Sequence, residues 1–277
     1  MGRIILCQPR QAVIPYRFTN TKVEVYSYEE LCFYIYNNVA LLNPEQFQGK
    51  LVQWIKTELE MEELADRLLE KLAAEASLTE LLVTILSAGS YYETAEIQQF
   101  RDKQELVALL PEEEKLKLKA DSFLMYKRLL KAISLYNTIL RREDQIEDRR
   151  FLGDVYHNKG VALAKNMEVT NAKLAFLEAF ERNQKPASLE AYIVLRLQEA
   201  EEAVVEKEAR AFGMDEADFR RLMDLLEDAT EDAESTSVYT RYQKALYNKE
   251  RGDYEAFNQR IDMMLNQWKE DFREQIV

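Results

Sequence analysis

From Ser27 onward, apolar residues recur three or four positions apart, the spacing of one face of a helix, and the pattern continues almost to the C-terminus. Before Ser27 the spacing differs. RIILC (3–7), YRF (16–18) and KVEVYS (22–27) are short, β-branched and aromatic, and KVEVY alternates apolar with polar. Pro9, Pro15 and Thr19-Asn20-Thr21 separate the pieces. Residues 1–27 therefore predict a small N-terminal β-hairpin, with RIILC as a candidate extra strand. Strand is expected nowhere else.

The helical part carries its own start signals. Ser27-x-x-Glu30 and Ser77-x-x-Glu80 spell capping boxes before apolar runs. Glu29–Leu42 is apolar nearly all round and predicts a buried helix. Asn43-Pro44 marks a new start, with Pro44 in a first turn. Residues 50–59, 60–75, 78–88 and 93–110 read as further helices. Pro111 opens the next one, with Glu112, Glu113 and Glu114 where the helix dipole favours acids. Towards the C-terminus, Leu189–Phe212 reads as one long helix and Asp215–Ala233 as another. A final hairpin turns at Arg251-Gly252-Asp253-Tyr254. Gly49, Gly89, Gly153, Gly213 and Gly252 fall between apolar-periodic segments and read as helix ends.

Within this pattern, Tyr156 to Pro186 has small residues where two helices must touch. It reads Tyr156-x2-Lys159-Gly160-x2-Leu163, then Ala172-x3-Phe176, then Ala179 and Pro186. This resembles the tetratricopeptide (TPR) pattern W-x2-L-G-x2-Y, A-x3-F, P. ADSFLMYKRLLKAISLYNTIL (120–140) fits the same frame, with Ala120, Ala132, Tyr136 and Ile139 at matching positions, and RREDQIEDRR is a charged connector. The final hairpin is a weaker copy, with Ala245 before Gly252. The resemblance implies an all-α chain, a TPR-like helical hairpin solenoid following the small β-hairpin. The domain reading is 1–27 hairpin, 28–112 irregular helical region and 113–277 repeat region.

The resemblance also implies a function. In such repeats the first helix of each hairpin lines a concave groove that holds a protein or peptide. The corresponding positions here are Asp154, His157, Val161, Ala164 and Lys165, and upstream Glu114, Lys117, Asp121, Leu124 and Met125. His157 and Lys165, just over two turns apart, are expected on one wall, with Lys117 and Asp121 beside them. The positions lack the paired Lys and Asn residues that clamp a peptide carboxylate in some TPR domains, so that activity does not carry over. The implied role is a non-catalytic interaction adaptor. The alternative is a peptide-sensing regulator that changes conformation on binding.

Charge and composition narrow the classes. A formal net charge of −13 has the wrong sign for nucleic acid or an anionic membrane. No apolar run is long enough to span a bilayer, and MGRIILCQPRQ is too short and interrupted for a signal peptide. Two cysteines, Cys7 and Cys32, suit a reducing cytosol as buried thiols, with a bridge between them as the other option. The chain has one histidine, His157, with no Cys-His pairing, metal-ligand spacing or phosphate-binding glycine loop in the sequence. No cofactor and no catalytic residue is expected. Arg3, Arg10, Arg17 and Lys22 make the N-terminal hairpin a basic patch, a second candidate docking edge.

Overall fold

At Ser27 the backbone is still extended, and its hydroxyl accepts the Glu30 amide. The first helix begins there, α1 (Tyr28–Asn37). The computed structural model describes residues 11–276; RIILC, Cys7, Arg3 and Arg10 lie outside them. Helix makes up 75%, with one small antiparallel sheet. The sheet is shorter than the sequence suggests: β1 (Tyr16–Arg17) pairs with β2 (Glu24–Val25), Tyr16 opposite Val25. Lys22 enters the left-handed region at φ 65, and its amide bonds the Phe18 carbonyl at 2.7 Å. That tight turn uses the residues between the strands.

The chain divides into two compact units, Met1–Tyr126 and Lys127–Val277. This boundary falls inside the first repeat read from the sequence. In the first unit, α1 is followed by α2 (Gly49–Thr57), α3 (Glu62–Ala73), α4 (Leu78–Leu86), α5 (Thr94–Leu109) and α6 (Glu112–Met125). Tyr28, Leu31, Ile35, Leu51, Ile55, Leu64, Leu68 and Leu82 form a single buried core. Burying such side chains stabilises by about 1.5–3 kcal/mol each. Tyr28 reaches across it to donate to the Ile85 carbonyl at 2.7 Å. Cys32 is buried and unbridged, and burial pushes its thiol up to about 12.

Two expectations are corrected here. Glu29–Leu42 is not one helix, because α1 stops at Asn37. The Asn38 side-chain amide takes the Tyr34 carbonyl at 2.8 Å, and a 3-10 turn follows at Val39–Leu41. Asn43 does cap with Gln46 in a reciprocal box, but opens only a 3-10 turn, Pro44–Phe47.

In the second unit, α7 (Leu129–Leu140), α8 (Arg149–Lys165), α9 (Val169–Asn183) and α10 (Pro186–Arg196) pack in succession. α11 (Glu202–Ala211), α12 (Glu216–Glu234), α13 (Ser237–Glu250) and α14 (Tyr254–Ile276) follow, each against its neighbour. The expected single helix Leu189–Phe212 is two helices. The break lets Leu189 and Ile193 of α10 and Val205 and Ala209 of α11 enter the same core, which one straight helix would not allow. Arg196 ties the break, bonding Glu199 and Glu208 at 3.1 Å. Gly153 is also corrected: it lies inside α8, buried, and not at a helix end.

Candidate functional site

The site is built on the hairpin of α8 and α9. Both helices must approach closely, and their small residues permit it. A Cβ at Gly160 would stand 2.7 Å from the Phe176 ring. At Gly153 it would stand 2.6 Å from the Asn183 Cβ and 2.8 Å from the Asn183 backbone nitrogen. Ala172 and Ala179 are fully buried on the facing helix. Residue spacing thus produces contact, and contact sets where the polar groups of α8 meet the next helix.

At that meeting point a polar network joins α8, the α9–α10 link and α10. The Lys185 ammonium donates to both Asp154 carboxylate oxygens at 2.7 Å. The Asn183 amide donates to Asp154 Oδ1 and to Ser188 Oγ, both at 3.2 Å. Asn183 Oδ1 accepts the Lys185 backbone amide at 2.9 Å. Ser188 Oγ is hydrogen bonded to His157 Nδ1 at 3.1 Å, and the His157 ring packs edge-on against Phe176. Asn183 and Ser188 are buried, so these bonds prevent the cost of burying polar groups without partners. A serine, a histidine and an aspartate meet here, but not as a hydrolytic relay. In the relay the serine is accessible and sits on Nε2; Ser188 is buried and bonds Nδ1.

A second cluster, at the same end of the hairpin, clamps it to the connector. The Tyr156 hydroxyl donates to Glu143 at 2.9 Å. Arg182 lies 4.5 Å over the Tyr156 ring and pairs with Glu178 and Glu143. Burial, and then the Glu143 carboxylate, push the Tyr156 hydroxyl up to about 12. Burial also pulls the nearby Lys159 ammonium down.

Among the positions implied by the resemblance, the structure brings Asp154 and His157 together in one network. Val161 is half-buried at the edge of the core, and Lys165 is exposed at the end of α8. Lys117 and Asp121 belong to the first unit, where they pair with each other along α6 at 2.7 Å. The sequence reading missed Asn183, Lys185 and Ser188. Their only sequence trace is the polar, Pro-containing link after α9, and their partners lie about thirty positions away, as in the Lys185–Asp154 pair. Among the described residues, no group of three or more His, Cys, Asp or Glu could hold a metal ion, and no helix is long and apolar enough to cross a membrane. The chain matches no family model, no curated protein and no solved structure.

Proposed function

We propose that this chain is a non-catalytic, TPR-like adaptor whose helical hairpins form a solenoid and hold a segment of another protein. The observation that carries this reading is the His157–Ser188 bond. It bridges the first helix of one hairpin, α8, to the first helix of the next, α10, whose main packing is against α9. Stacked hairpins place their first helices side by side, and the wall they make is the usual binding surface. The exposed end of that wall is Lys165, with Val161 one turn before it. The ligand is a polypeptide, and the chain acts in the cytosol by binding alone.

Affinity capture from the native cell tests the reading, using the whole chain. The variant His157→Gln, Val161→Thr, Lys165→Glu keeps side-chain volume and changes the wall's chemistry. The changes at half-buried His157 and Val161 will lower its melting somewhat, so capture is run below the melting of both proteins. Lys165→Glu alone, a surface change that typically moves stability by about 0.5 kcal/mol, is the second variant. Recovery of specific partner proteins should fall with both variants. Full recovery by the folded triple variant would remove this wall as the binding surface.

A further inference from the structure

The first unit contains a cavity of about 370 Å³ that the repeat reading does not use. Its walls are aromatic: Phe33 and Tyr34 of α1, with Tyr91 and Tyr126. Its charged lining is acidic, from Glu24 and Glu29 with Glu30 beside them; among the described residues no Lys or Arg lines it, and Arg17, outside the lining, lies 3.9 Å from Glu24. The rings are held in place. Tyr34 stacks on Phe18 and its hydroxyl lies 3.0 Å from the Thr21 hydroxyl; Tyr91 packs edge-on to Tyr92. Phe33, by contrast, is 57% exposed at the rim. A single exposed phenylalanine is ordinary. One that extends an aromatic wall into a carboxylate-edged cavity is different.

Ring faces carry partial negative charge and attract cations lying over them. Carboxylates at the rim add to that attraction and repel anions. The hydrocarbon surface of Val23 and Val25 suits an apolar stem. A cation on an aliphatic stem satisfies all three features. Free small molecules are usually enclosed over about 70–90% of their surface. A rim residue more than half exposed suits a side chain reaching in from a docked polypeptide instead. We infer that this cavity is a binding site for a Lys or Arg side chain of a partner polypeptide. It lies in the first unit and does not depend on the α8 wall.

The test is a titration of the full chain followed by aromatic NMR shifts. The probes are Nα-acetyl-arginine amide and Nα-acetyl-lysine amide, with Nα-acetyl-norleucine amide as the neutral stem and choline as a small cation. The basic amides should bind and shift the resonances of Tyr91 and Tyr126, and added salt should weaken them. Phe33→Ala and Glu24→Gln should each weaken binding about 3- to 10-fold. Should Phe33→Ala lower the melting temperature, Phe33→Leu keeps the bulk, removes the ring and should show the same loss. Equal binding of the norleucine amide, or unchanged affinity in Phe33→Leu, would overturn the cation site. Tighter binding of choline than of either basic amide would overturn the side-chain occupant.

Discussion

Gly153 and Gly160 sit inside α8, where glycine is less favourable than alanine by about 1 kcal/mol. Both are explained by what a Cβ would meet on α9. The two sites differ in how far their neighbours can yield. At Gly160 the obstacle is the Phe176 ring, but at Gly153 it includes the backbone of Asn183 and Ala179. Gly153→Ala and Gly160→Leu should therefore each lower stability by about 1–3 kcal/mol in urea unfolding. An unchanged or raised midpoint would mean the helices do not press together there. Gly160 was legible in the sequence because Ala172 and Phe176 follow at repeat spacing. Gly153 was misread as a helix end, because glycine marks both helix ends and close contacts, and only the partner helix tells them apart.

The elements were legible where the signal is local. At α4, Ser77 Oγ accepts the Glu80 amide at 3.3 Å and Glu80 Oε2 accepts the Ser77 amide at 3.0 Å, as the capping box predicts. The Leu189–Phe212 break was not legible. Residues 197–201, LQEAE, are good helix formers, and the shared core of α10 and α11 overrides them. The Glu80 cap also has a pH signature. The Ser77 backbone amide, and then its hydroxyl, hold the Glu80 carboxyl below the usual carboxylate range. The folded value is the lower one, so the contribution is present above the unfolded value of about 4.3 and is lost as pH falls through the folded value. In thermal melts Glu80→Gln should lie below the parent at about pH 7, and the gap should close towards about pH 3. A gap that widened on acidification would contradict this. Ser77→Ala should cost about 1 kcal/mol by removing the cap.

At the scale of the molecule, helical periodicity after Ser27 and the confinement of strand to the first 27 residues were both readable from the chain. The two-unit division was not, because it depends on which helices share a core and no linker composition marks Tyr126–Lys127. The aromatic cavity was also hidden. Tyr34 was visible as a tyrosine near the first helix, but Tyr91 and Tyr126 reach it only through the tertiary fold. The net charge of −13 and the acidic lining of the aromatic cavity agree in sign with the basic polypeptide partner proposed above. The most direct test of the adaptor reading is site-specific photo-crosslinking in the native cell. A benzoylphenylalanine is placed at Lys165 on α8 and, as control, at the exposed Glu181 on α9. The account predicts a discrete covalent adduct with another polypeptide from position 165 and none from 181. No adduct from 165, or the same adducts from both positions, would contradict it.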